Sequence, residues 1–174
     1  MKKLLFLLII FSAQMTVCQT VEPEDRGYIV NVGDVAPDFE FTLLSGEKMK
    51  LSDLRGKTVM LQFTASWCGV CRREMPFIER DIWQKYKDNQ NFALIALDRD
   101  EPLETVKKFI KKTGVTYPFV LDNKGKIFEL FAVKDAGITR NVIIDKNGVI
   151  IYLTRLYNEA EFAEMLSVIN EQFF

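Results

Sequence analysis

The feature that most constrains this chain is a junction. Lys57 to Thr64 carries the apolar run Val59-Met60-Leu61 and then Phe63, the pattern of a strand covered on both faces. Cys71 to Tyr86 then places Met75, Ile78, Ile82 and Trp83 on one helical face. Between the two stands Trp67-Cys68-Gly69-Val70-Cys71. A C-x-x-C pair alone has several readings, but after a strand and at the opening of a helix it points to reversible dithiol chemistry. The helix start offers unpaired N–H groups and partial positive charge, which favour a thiolate at Cys68. Arg72 and Arg73 add fixed charge in the first turn. Cys68 is therefore expected as the exposed nucleophile, and Cys71, one turn in, as the buried resolving thiol. Gly69 is expected to let the backbone turn tightly beside Val70, and Trp67 to flank the sulfur.

Composition narrows the chemistry. The chain has no histidine, which excludes Ser-His-Asp and Cys-His catalysis, His-ligated metals and imidazole relays. A net charge of −1 does not suit a nucleic-acid binder. Proton handling then falls to a carboxylate, and Glu74 is the candidate. It lies three residues past Cys71 and six past Cys68, so it stays near the face of Cys71. Partly buried, it could exchange the resolving thiol's proton; the bland alternative is a solvated helix residue. Pro76 removes one helical hydrogen bond and is expected to kink the helix.

The 174 residues, 48% of them hydrophobic, suit one domain. Residues 1–18 read as a signal peptide. Lys2 and Lys3 precede an apolar run from Leu4 to Phe11, too short for a span of about 20 residues. Cleavage after Cys18 takes the net charge to −3. The alternative is a lipoprotein signal with a lipid anchor on Cys18, though Met15-Thr16-Val17 fits a lipobox poorly. Residues 19–31 read as an acidic linker and 32–174 as the domain. Export also bears on the cysteines: one adjacent pair is too few for a disulfide-stapled scaffold, and fits a worked redox couple better.

Along the domain, Phe39, Phe41 and Leu43, a Ser45-Gly46 turn, then Met49 and Leu51 predict a hairpin leading to a short helical turn. Phe92 to Leu97 reads as a buried strand, Leu103 to Lys112 as an amphipathic helix and Pro118 to Leu121 as an extended segment. Ile127 to Phe131 reads as a brief helix. Val142 to Asp145 and Val149 to Leu153 flank Asn147-Gly148, expected as a type I′ turn. A closing helix runs from Glu159 to Phe173. The pattern is α/β with a mixed sheet flanked by helices.

Trp67-Cys68-Gly69-Val70-Cys71-Arg72-Arg73-Glu74-Met75-Pro76 resembles the active site of the thioredoxin superfamily. Within it, the chain is similar to extracytoplasmic thiol–disulfide oxidoreductases of the TlpA/ResA type, which overlap the alkyl-hydroperoxide-reductase profile. Val32 to Phe39, Leu51 to Lys57 and Ile144 to Gly148 carry the resemblance further, over residues 32 to 173. It implies a thioredoxin fold with an N-terminal hairpin extension, and a functional Glu74. It implies no cofactor beyond the redox-active Cys68–Cys71 disulfide. Two departures stand out. Gln62 occupies the position of a buried Asp found in many thioredoxins. Gly137-Ile138-Thr139-Arg140 puts Thr139 where the superfamily has a cis-proline, so the bond before it is either strained cis or trans. Arg140 would then lie close to Cys68, where a peroxiredoxin-like Arg stabilises the thiolate; a paired surface Arg is the alternative.

These residues imply exchange with client protein thiols or disulfides, more as a reductase, with a membrane electron donor or acceptor and no nucleic acid. The place is the periplasm or the outer face of a membrane, and cytochrome c maturation is one setting. A peroxidase would want a Thr three residues before Cys68, whereas Thr64 is four before. A metal-binding chaperone would want His or a second cysteine pair. A redox-inert interaction module would not need the intact C-x-x-C.

Overall fold

The computed structural model describes residues 26–173. The signal peptide, Cys18 and the first part of the linker lie outside them. Five strands form the main sheet in the order β5-β4-β3-β6-β7. β3 (Thr58–Thr64) is its centre and is buried along its whole length, as an apolar run with helices on both sides requires. β4 (Phe92–Arg99) and β5 (Phe119–Asp122) run parallel to it, and β6 (Arg140–Ile144) and β7 (Ile150–Arg155) complete the antiparallel side. Alternation along β3 sends Val59, Leu61 and Phe63 into one core and Met60 into the other. In the first core the Phe63 ring packs edge-on to Phe128, with centroids 5.6 Å apart, and lies 5.5 Å from Phe131.

The small hairpin β1 (Glu40–Thr42) and β2 (Lys48–Lys50) forms as expected and leads into a short helical turn at Leu51–Leu54. Its tip is hydrogen-bonded to the outer strand through Leu44 N–H to the Phe119 carbonyl. That covers an edge which would otherwise expose unpaired backbone groups.

Three expectations change. Asn147 does not take the left-handed conformation a type I′ turn demands; only Gly148 does, with φ +84°. Gly148 N–H donates to the Asp145 carbonyl and Asp145 N–H to the Val149 carbonyl, so the loop is a three-residue turn with glycine at its left-handed position. The helix after β3 begins earlier than expected, as α1 (Gly69–Phe77), and is not simply kinked by Pro76. It continues through a wider π turn at Ile78–Trp83 into α2 (Gln84–Tyr86), a change of pitch that begins two residues past Pro76. Finally, residues 26–31 are not a free linker. Val30 is buried, Arg26 pairs with Glu161, and Tyr28 Oη donates to the Thr154 carbonyl at 2.6 Å.

Two further helices, α3 (Leu103–Thr113) and α4 (Glu159–Glu171), bury Val106 and Phe109, and Phe162, Met165 and Ile169, respectively.

Candidate active site

β3 and β4 are parallel, so their carboxyl ends open at one edge of the sheet, where α/β proteins place their sites. β6 is antiparallel to β3 with Phe63 opposite Arg140. The start of β6 therefore lies beside the end of β3, and this register brings Thr139 to the cysteines.

Cys68 and Cys71 are joined in a disulfide, with Cα atoms 5.3 Å apart. Cys68 is the residue that caps α1, and its sulfur accepts the Cys71 N–H at 3.1 Å. The helix start thus points an amide at the attacking sulfur, as the sequence suggests. Cys68 is less exposed than expected, at 7%, with Cys71 fully buried. What is exposed beside it is Trp67, at 63%. Thr139 Oγ1 lies 3.1 Å from Cys68 Sγ and 3.3 Å from Cys71 Sγ, and the bond before Thr139 is trans. Where a proline could offer only carbon, this chain sets a hydroxyl against both sulfurs.

Glu74 is buried, not solvated. Its Oε1 accepts from Asn141 Nδ2 at 2.6 Å. Asn141 stands opposite Gln62 on β3 and Thr154 on β7, so three polar side chains form a row across three strands beneath α1. Asn141 Nδ2 also donates to Thr154 Oγ1 at 2.9 Å, and Tyr117 Oη donates to Gln62 Oε1 at 2.9 Å. The Gln62 amide bears on the Glu74 carboxyl but lies outside hydrogen-bond geometry. Burial pushes the Glu74 carboxyl up to about 7, against the opposing pull of Asn141 and Gln62. A carboxyl poised there can take or return a proton at neutral pH.

Other expected residues are placed differently. Arg140 is fully buried: its Nε donates to the Gly137 carbonyl at 2.9 Å, its guanidinium lies 4.4 Å over the Tyr28 ring, and its Nη1 has no hydrogen-bond partner among the described residues. Strand alternation sends Arg140 to the face of Val142 and Ile144, the core that also holds Cys68 and Cys71. Arg72 is exposed and donates to the Ser66 carbonyl at 2.5 Å, bracing the loop ahead of Trp67. Gly69 opens α1 just after the turn at Ser66–Trp67, without left-handed backbone, and a Cβ there would meet only Arg72, at 3.8 Å. Val70 is partly buried against the first core. Asn141, Thr154 and Tyr117 are not among the residues the sequence singles out; Asn141 follows Arg140 at the polar start of β6, ahead of its apolar run.

The redoxin family model matches residues 31–169. The chain belongs to the redoxin family. It is 40% identical to the thiol-disulfide oxidoreductase ResA of Geobacillus kaustophilus over 119 residues, 68% of this chain and 66% of that protein. It spans about two thirds of the length of such relatives. Among solved structures, a candidate protein disulfide isomerase from Bacteroides thetaiotaomicron is 65% identical, with a TM-score of 0.81, covering 84% of this chain and 92% of that one. A candidate thiol:disulfide interchange protein DsbE from Chlorobium tepidum is 30% identical, with a TM-score of 0.68 and coverage of 80% and 96%. The redoxin domain is thus a thiol–disulfide oxidoreductase domain of thioredoxin fold, with its couple at Cys68 and Cys71.

Proposed function

We propose that the protein is exported and reduces disulfides in client proteins, with Glu74 as the proton carrier. The Cys68 thiolate attacks one sulfur of the client disulfide. A Cys68–client bond forms, and the client's other sulfur leaves as a thiolate. Cys71 gives its proton to the Glu74 carboxylate and attacks Cys68 Sγ. The client's second sulfur leaves, and Cys68–Cys71 is oxidised. Each cycle hands two electrons to the client, which takes up two protons. A membrane electron donor resets the pair.

The observation that carries this reading is Glu74, buried one helical turn beyond Cys71 with a neutral amide as its partner. Direction follows from charge. A strong oxidant is one whose reduced form is stabilised. Here Arg140 donates to Gly137 and lies over the Tyr28 ring, Arg72 donates to Ser66, and no guanidinium hydrogen bond to either sulfur is seen among the described residues. The thiolate relies on one amide and one hydroxyl, which favours a reductant.

Export rests on Lys2, Lys3 and the apolar run from Leu4 to Phe11. Among the described residues no helix is long and apolar enough to cross a membrane. The amino-terminal mass of protein recovered from the producing cell tests both processing and lipid at Cys18.

The exchange reading is tested with Cys71→Ser. It should accumulate a mixed disulfide with client proteins that dithiothreitol releases, whereas Cys68→Ser should accumulate none. Trapping through Cys71 instead would reverse the roles, and peroxide consumption at rates matching disulfide reduction would favour a peroxidase.

A further inference from the structure

A buried carboxyl that the exchange cycle does not use stands behind the loop leading to Cys68. Asp98 lies near the end of β4, opposite Thr64 of β3, and is fully buried. Neither of its oxygens has a hydrogen-bond partner among the described residues. A bare ionised carboxylate in that position would have lost its water with nothing in return. Its electrostatic neighbour is a second carboxyl, Glu101, from the turn after β4.

Glu101 is fully engaged. One oxygen accepts the Ser66 N–H and the other the Ser66 hydroxyl, each at 2.5 Å. Ser66 directly precedes Trp67 and Cys68, so Glu101 grips the loop that presents the attacking sulfur. Of the two neighbouring carboxyls, one has two donors and the other has none. Burial without a donor favours the protonated form of Asp98. Burial and the Glu101 charge push the Asp98 carboxyl up to about 8.

The other charged groups around this corner are occupied or open to water. Arg72 of α1 is on the Ser66 carbonyl. Lys108 and Lys112 of α3 line, with Ser66, an open groove of about 240 Å³. On β5, Asp122 accepts the Ile127 and Phe128 amides, and Arg99 of β4 reaches the Lys134 carbonyl.

We propose that Asp98 is a positioning residue for the reactive loop. Protonated, it donates to Glu101 and leaves that carboxylate clamped on Ser66; ionised, it repels Glu101 and slackens the loop that carries Cys68. The consequence for the thiol rests on the disulfide-exchange reading, whereas the Ser66 clamp and its titration do not.

The direct test is NMR on the purified, isotope-labelled protein. The Asp98 carboxyl carbon and the Ser66 amide should titrate together near pH 8, and the Ser66 step should vanish in Asp98→Asn. Glu74→Gln should leave that step in place. An Asp98 carbon titrating below about pH 5, or a Ser66 amide that does not follow it, overturns the proposal without any variant having to fold. A second measurement compares alkylation of reduced Cys68 in wild type and Asp98→Asn, a ratio in which the thiol's own titration cancels. The wild-type rate should equal that of Asp98→Asn below neutrality and fall roughly tenfold below it above pH 9, part of the about 100-fold that a 1 Å misplacement of a reacting group can cost. A ratio that does not change with pH overturns the link to Cys68. If disulfide exchange is absent but Ser66 still titrates with Asp98, the functional reading fails and the clamp stands.

Discussion

Glu74 is held among neutral side chains, with Asn141 donating to one oxygen and Gln62 facing the carboxyl without a hydrogen bond. This has opposite effects on stability and activity. The folded protein keeps the Glu74 proton up to about pH 7, whereas an unfolded chain loses it near 4.5. Between those values the native state binds more protons, so stability falls as pH rises through the window. Glu74→Gln, which still accepts from Asn141, should match wild type at pH 4 and unfold at higher denaturant at pH 8. The gain is at most roughly 3 kcal/mol. The same variant should slow disulfide reduction at pH 7 by about 100-fold, the low end for a lost acid–base group. Denaturant titrations at the two pH values and insulin-reduction rates read both effects; loss of stability at pH 8 would refute the account of its burial. Thr139 supplies a hydroxyl to both sulfurs. Thr139→Val should slow Cys68 alkylation at neutral pH about five- to tenfold, since a hydrogen bond to a charged group is worth about 1.5–3 kcal/mol and part is recovered from water.

At the scale of elements, the periodicity of the chain shows most of what forms. The apolar run of β3, the stripe of α3 and the glycine turns all appear where their patterns place them. What the pattern could not show is where the helix after β3 changes pitch. Pro76 announces a lost donor, but whether the helix breaks, bends or widens depends on packing, and Ile78 and Ile82 stay buried through the π turn. The Asn147-Gly148 signal was read too literally, because one left-handed residue suffices when the loop has three. α4 gives a clean test of an element apart from the site. Asn158 caps it, accepting from Ala160 and Glu161 N–H at 2.9 and 3.2 Å. Asn158→Ala should cost about 1 kcal/mol in thermal or chemical unfolding and leave the exchange rate per folded molecule unchanged.

Across the whole molecule, sequence-adjacent parts of the site were legible and sheet-assembled parts were not. Cys68, Cys71 and Glu74 belong to one helix start, so spacing alone relates them. Thr139 reached its place in the sequence reading only through a family resemblance. For Arg140 the structure overturns only the paired surface Arg, because the side chain is buried against Tyr28 and Phe128. The row of Gln62, Asn141 and Thr154 depends on the register of three strands, which spacing along the chain does not show. The absence of histidine acquires its meaning here as well. The chain has no imidazole, Arg72 donates to the Ser66 carbonyl, and Arg140 lies on Tyr28 and the Gly137 carbonyl. The proposed direction rests on those contacts leaving the reduced couple with weak stabilisation. Its midpoint potential, measured by equilibrating the protein with glutathione or dithiothreitol buffers and quantifying Cys68–Cys71 oxidation, therefore tests the account most directly. A value of about −270 mV or lower is predicted, as for a thioredoxin-like reductant; one near about −120 mV, as for a strong oxidant, would contradict it.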